Sequence, residues 1–302
     1  MQRETSDPMI RLGAGHLRLS AFICGLLFCF QSHAAPISQL DDLGRKVEVA
    51  APAKRIVTLA PFLTELAFSV GVGDRVVGVS EHSDYPQAAR KLPQVASAAG
   101  ISIESVAALQ PDLVLAWQDT MRPADLERLR ALGIPVFVAQ ARSILDVGRL
   151  YGTIERLSGT KSPEPLRGFH DKLRKALRKL DRPPVKVFLE IWHDPLTTIS
   201  GPHWMNEALA FCGATNAFQD LGGVAPVVSW EAFYARNPPV IVGAGSARDA
   251  AAFRAQWRDR STLDAVKNDR LVFVDADLIQ RPTLRLADGV AQLCEGLGRV
   301  MP

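Results

Sequence analysis

The sequence predicts an α/β protein built of two similar lobes. Three observations predict it. A short segment occurs twice at long separation, short apolar runs alternate with amphipathic runs on both sides of it, and a long helical stretch divides the two alternating halves. The first copy of the segment is Ile103-Glu104-Ser105-Val106-Ala107-Ala108-Leu109-Gln110-Pro111-Asp112-Leu113-Val114-Leu115. The second, 127 residues further on, is Trp230-Glu231-Ala232-Phe233-Tyr234-Ala235-Arg236-Asn237-Pro238-Pro239-Val240-Ile241-Val242. In each, a Glu is followed four residues later by Ala, seven later by Pro, and then by an apolar run. That spacing is far longer than a solenoid period, so it marks duplicated lobes instead.

In the first lobe, Arg55 to Leu59, Val76 to Val79, Leu113 to Ala116 and Ile134 to Val138 read as short buried strands. Between them, Thr64 is expected to cap a helix from Glu65 to Val70 that Gly71 ends. Ile103 to Leu109 and Pro123 to Leu132 are the other helices. Ile144 to Leu157 carries apolar residues at helical spacing. A second helix begins near Pro163 and keeps that spacing through Leu180, with Lys and Arg on its other face, until Pro183-Pro184 stops it. Those 18 residues would reach about 27 Å, enough to join two lobes. The second lobe restarts with Val185 to Glu190 as a strand. Helices at Met205 to Phe211, Ala247 to Trp257 and Leu284 to Val300 and a strand at Leu271 to Val274 complete it.

Composition narrows the function. Apolar residues make up 47% and charged residues 22%, which suits a globular core. The net charge is only +3 and no long basic run exists, which argues against nucleic acid as a partner. Arg11 and Arg18 followed by the apolar stretch Leu19 to Phe30 read as a secretory signal. Ser32-His33-Ala34 places cleavage after Ala34, with Met1 or Met9 as the start and an uncleaved anchor as the alternative. Cleavage leaves two cysteines, Cys212 and Cys294, an even pair that in an exported chain reads as a disulfide. The lobes therefore divide as signal peptide 1–34, first lobe 35–157, linker and bridging helix 158–182, and second lobe 183–302.

No GxSxG, Walker A, HExxH or zinc-type Cys/His spacing appears. Val240-Ile241-Val242-Gly243-Ala244-Gly245 begins like a dinucleotide fingerprint, but Arg248 stands where the third Gly belongs. A catalytic triad is thus unsupported by any pattern; an exported metal-dependent hydrolase is the rival reading from another class. Glu104 and Glu231 sit in the first turns of equivalent short helices, where a carboxylate is favoured by the helix dipole. Their pairing suggests two docking carboxylates facing arginines on a two-fold partner. His82, His193 and His203 lie in loops beside Tyr or Trp, and Trp117, Trp192, Trp204 and Trp230 border strands or helices. Such residues are candidates for lining an apolar cleft that takes a flat ligand.

With these features in place, residues 50–300 resemble the periplasmic binding proteins of ABC importers for iron-siderophores, haem and cobalamin. The resemblance is carried by Arg55-Ile56-Val57-Thr58-Leu59, Thr64-Glu65-Leu66-Ala67-Phe68, Ser83-Asp84-Tyr85-Pro86, Ala108 to Val114 with Ala116-Trp117, Cys212-Gly213 and Leu293-Cys294. It implies two Rossmann-like lobes joined by a rigid bridging α-helix, the helical-backbone form of the periplasmic binding protein. It also implies a monomer that holds no cofactor and carries its ligand to a permease dimer in the inner membrane. The cobalamin-carrying members match best, so the implied ligand is cobalamin or a related corrinoid, with haem or a ferric siderophore as the alternative. Glu104 and Glu231 then meet permease arginines, and Cys212 and Cys294 pair. Phe62, His82, Tyr85, Trp117, Trp204, Asp277 and Arg281 line the cleft; no metal is bound directly, with His82 a candidate axial ligand. His82 stands where the family has a ligand-contacting Tyr, and Ala98 and Ala225 stand where it has contacting Trp.

Overall fold

The computed structural model describes residues 36–177 and 183–301. The expected signal sequence, its cleavage site and residues 178–182 of the expected bridging helix lie outside the described residues. Among the described residues no helix is long and apolar enough to cross a membrane.

The described residues open with an antiparallel hairpin, β1 (Ile37–Leu40) and β2 (Lys46–Val49). There follow β3 (Ile56–Thr58), α1 (Pro61–Val70), β4 (Val76–Ser80), β5 (Gln94–Ser97), β6 (Gly100–Ile101), α2 (Ile103–Ala108), β7 (Leu113–Trp117), α3 (Pro123–Ala131) and β8 (Val136–Ala139). These strands form one sheet in the order β6-β5-β4-β3-β7-β8, parallel except for β6. Two helices come next, α4 (Ile144–Ser158) and α5 (Pro163–Ala176). The remainder is β9 (Val185–Glu190), α6 (Trp204–Phe211), β10 (Ala214–Asn216), α7 (Trp230–Arg236), β11 (Val240–Gly245), α8 (Ala250–Arg258), α9 (Asp264–Lys267), β12 (Leu271–Asp275), α10 (Ala276–Ile279) and α11 (Leu286–Val300). Its four strands make a second, wholly parallel sheet in the order β10-β9-β11-β12. The α/β class and the two-sheet plan thus match the expectation.

Two local expectations are corrected. Thr64 does not cap α1. The helix starts one turn earlier, with Pro61 in its first turn, because proline's fixed φ suits that position and its missing N–H costs nothing there. Thr64 is instead buried in mid-helix, and Gly71 ends the helix in the left-handed conformation at φ 91°. The helix after Pro163 has 14 residues, about 21 Å of rise, and stops at Leu177, which is extended and 54% exposed. Apolar spacing alone overshot, because the buried face of α5 ends once Phe169 and Leu173 have packed into the core.

One apolar core runs through both halves. It joins Phe62, Leu63 and Leu66 of α1 and Val147, Leu150, Tyr151 and Ile154 of α4 to Met205 and Leu209 of α6 and Val290, Leu293 and Leu297 of α11. Each sheet has a second core on its other face, one around Val57, Val114, Leu126 and Val138, the other around Phe188, Phe233, Ile241 and Trp257. Parallel sheets buried on both faces explain why their strands read as unbroken apolar runs.

Candidate functional site

In a parallel α/β sheet, ligands bind outside the carboxyl ends of the strands, where the strand order reverses direction. In the first sheet that point lies between β3 and β7, in the second between β9 and β11. A cavity sits at each. The first, about 260 Å³, is lined by Leu59, Ala60 and Pro61 after β3, Glu81 and His82 after β4, Ala98, Trp117 and Arg122. The second, about 820 Å³, is lined by Ile191, Trp192, His193 and Asp194 after β9, Gly245 and Ser246 after β11, and Gln280.

A seam of ion pairs ties the two halves together. Arg281 Nη1 donates to Asp84 Oδ1 at 2.9 Å and to Glu65 Oε1 at 3.0 Å, and Arg281 Nη2 lies 3.2 Å from Asp277. Arg285 grips Glu65 with Nε at 2.9 Å and Nη2 at 2.6 Å, and its guanidinium lies 3.8 Å over the Tyr85 ring. His82 of the first cavity is two residues from Asp84, and Gln280 of the second adjoins Arg281, so each cavity has a wall residue close in sequence to the seam. Burial works against the charge on Asp84, but the Arg281 guanidinium outweighs it and holds the carboxyl below its usual range. Burial likewise opposes the charge on Arg281, and Asp84 and Glu65 reverse that effect and raise its pKa.

The loop carrying His82, Asp84 and Tyr85 is anchored by buried hydroxyls. Thr64 Oγ1 lies 2.7 Å from Thr58 Oγ1 and donates to Ser83 Oγ at 3.0 Å, and Ser83 reaches Ser80 at 3.2 Å. Against the Trp117 wall of the first cavity, Phe62 is buried in the core and meets that ring edge to face at 5.6 Å. Trp117 Nε1 is buried and has no hydrogen-bond partner among the described residues. An unpaired buried donor is costly, so an acceptor on a ligand would restore what folding has withheld.

On the opposite side, Glu190 at the end of β9 is 6% exposed. Its Oε2 accepts from Trp257 Nε1 at 2.7 Å and its Oε1 lies 3.1 Å from His193 Nδ1. Burial pushes the carboxyl up, and His193, Trp257 and Arg260 only partly offset it.

A family model for periplasmic binding proteins matches residues 56–278. The vitamin B12-binding protein of Vibrio cholerae is 35% identical over 250 residues, covering 80% of this chain and 88% of its own. The chain belongs to the periplasmic binding protein family. The vitamin B12-binding protein of Vibrio parahaemolyticus is 33% identical over 81% of this chain and 89% of its own. The crystal structure of the periplasmic vitamin B12 binding protein of Vibrio cholerae superposes with a TM-score of 0.73 at 33% identity, covering 82% of this chain and 98% of that one. A periplasmic heme-binding protein from Roseiflexus shares the fold, with a TM-score of 0.68 at 21% identity over 82% of this chain and 99% of that one.

In this periplasmic binding protein the cleft residues expected from sequence divide. His82 and Trp117 line the first cavity, and Phe62 is buried in the core behind Trp117. Tyr85, Asp277 and Arg281 gather at the seam. Trp204 does neither. It is 3% exposed, its Nε1 donates to Ile279 O at 3.0 Å, and its ring stacks on His203 at 3.7 Å. With its donor satisfied and almost no exposed surface, this indole packs in the core and lines neither cavity. Trp192, 66% exposed, lines the second cavity together with Phe253 and Phe273.

The repeat is structural as well as sequential. Ser102 and Ser229 cap α2 and α7 by accepting from the third helical amide, at 3.2 and 3.1 Å. Each helix is followed by a residue with positive φ, Gln110 at 46° and Asn237 at 36°, before its Pro and strand. Glu104 and Glu231 are therefore second residues of matching helices; both are exposed, and neither has an ion-pair partner among the described residues. Cys212 and Cys294 form a disulfide between the end of α6 and α11.

Sequence reasoning missed Glu65 and Arg285 at the seam and Glu190 at the second cavity. Glu65 did leave a signal, as the single charged residue in the ten-residue helix PFLTELAFSV.

Proposed function

We propose that this protein is the periplasmic receptor of an ABC importer, capturing cobalamin or a related corrinoid between its two lobes and delivering it to the permease. The observation that carries the reading is a cavity at each of the two sheet switch points, with the Asp84–Arg281 pair tying the halves together, in a chain one-third identical to vitamin B12-binding relatives. The protein acts without chemistry of its own. His82 and Trp117, backed by Phe62, offer one wall, Trp192 the other, and Tyr85, Asp277 and Arg281 the rim. Trp192 supplies the stacking area that Ala98 and Ala225 lack.

Charge favours a corrinoid over an anionic ferric siderophore. The cleft arginines are already matched, Arg122 to Asp125 at 2.7 Å, Arg281 to Asp84 and Arg285 to Glu65. Glu104 and Glu231, uncommitted and symmetric, suit the two halves of a permease dimer through charge-assisted bonds to its arginines. The lobes are assigned to 35–157 and 183–302 with 158–182 as their link, and the chain works as a monomer. Calorimetric titration with cyanocobalamin tests the reading. One-to-one saturable binding is expected. Absence of heat and of any protection against unfolding would overturn the corrinoid assignment and turn the search to haem.

A further inference from the structure

We propose that His193 is an axial ligand to the metal of the bound chelate, filling a coordination position that the chelate offers open or water-filled. The inference rests on the corrinoid reading above and goes beyond it by naming the bond and the class of corrinoid that forms it.

The geometry is that of an imidazole held for coordination. His193 Nδ1 lies 3.1 Å from Glu190 Oε1, and Glu190 is itself fixed by the Trp257 indole at 2.7 Å. The ring stands edge to face against Trp257 at 5.4 Å and Trp230 at 5.9 Å, so both its tilt and its position are set. A carboxylate on one imidazole nitrogen fixes the proton there, orients the ring and makes the other nitrogen more basic, the arrangement found around metal-binding histidines. In the tautomer that donates Nδ1–H to Glu190, Nε2 keeps a bare lone pair. Among the described residues nothing hydrogen-bonds to Nε2, and the side chain, 22% exposed, stands in the wall of the 820 Å³ cavity.

His82 lacks these supports. Its side chain is 78% exposed, and its nearest carboxylate contact among the described residues, Glu81, lies 3.8 Å away. Of the two cleft histidines, His193 is the one whose imidazole is oriented before ligand arrives.

The step balances without an added reactant. In aquocobalamin the cobalt(III)–water bond breaks, a cobalt–Nε2 bond forms, and water leaves. No electron moves, and the Nδ1 proton stays between His193 and Glu190. Cyanocobalamin has both axial positions filled by firmly held groups, so it reports binding without coordination.

The experiment titrates the mature protein into aquocobalamin and follows the visible absorption bands, with cyanocobalamin calorimetry in parallel. The parent protein is expected to move the bands from the aquo to the imidazole-ligated position. His193→Ala and His193→Gln should leave the aquo spectrum at saturating protein. Glu190→Gln should lower the ratio of aquocobalamin to cyanocobalamin affinity by about 10-fold or more. Band position is unmoved by a purely structural role. Two corrinoids that bind with no shift, or a shift that survives both His193 variants, would overturn the inference. Should cyanocobalamin fail to bind, the corrinoid reading falls separately. Ferric protoporphyrin then judges His193 by its Soret band: a shift lost in both variants upholds coordination, and any other result ends it.

Discussion

Removing the Glu65 carboxylate is the sharpest test of how the two halves are held. Glu65 is 1% exposed and accepts three N–H groups, one from Arg281 and two from Arg285. In Glu65→Ala, Arg281 retains Asp84 and Asp277, but Arg285 is left with only the Tyr85 ring. Breaking a buried ion pair by removing one partner costs about 3–5 kcal/mol. The two arginine side chains are 18% and 21% exposed, so partial hydration places the loss near the lower end, about 3 kcal/mol. For a chain of this size that corresponds to a fall in Tm of about 6–12 °C. Urea and thermal unfolding followed by circular dichroism measure it. A cycle with Arg285→Ala isolates the pair, and a coupling energy well above about 0.5 kcal/mol is expected. A loss below about 1 kcal/mol for Glu65→Ala, or additivity in the cycle, would refute the view that this buried charge pairing ties the halves together.

Three further outcomes are expected. Cys212→Ala with Cys294→Ala removes a bridge spanning 82 residues and should cost about 4 kcal/mol on the chain-entropy model, read as a lower urea midpoint. His203 is 5% exposed and burial lowers its pKa from 6.5 to about 4. The native ring stays neutral while the unfolded chain takes up a proton, so stability present above pH 6.5 is lost as pH falls towards 4, by about 3 kcal/mol in all. Urea midpoints across that window should fall less steeply in His203→Asn, and an unchanged slope would reject the assignment. Glu104→Ala with Glu231→Ala should leave corrinoid affinity near that of the parent and abolish uptake into permease-bearing vesicles; unchanged transport would sink the docking role.

Much of the fold was legible because its signals were local. Gly71, Gly133 and the proline breaks bounded helices, and apolar runs marked strands β3, β4, β7, β9, β11 and β12. The two-residue β6 and the three-residue β10 escaped, being too short to show a period. The paired glutamates were visible because the repeat is a pattern within the chain itself. The seam was not, because Glu65 and Arg285 lie 220 residues apart and meet only after both sheets have formed. Trp204 misled for a related reason. An aromatic beside a loop looks the same in sequence whether its indole faces ligand or a backbone carbonyl such as that of Ile279.

The apolar core that runs from α1 and α4 into α6 and α11 bears on any attempt to cut the protein in two. A nick between α4 and α5, at Gly159 to Ser162, would give fragments that each bare a greasy face whose natural cover is the other. Expressed separately, such fragments would be insoluble or captured by chaperones. Expressed together, they should reassemble into a working receptor, which makes that short loop a natural seat for a split reporter of ligand or permease encounter.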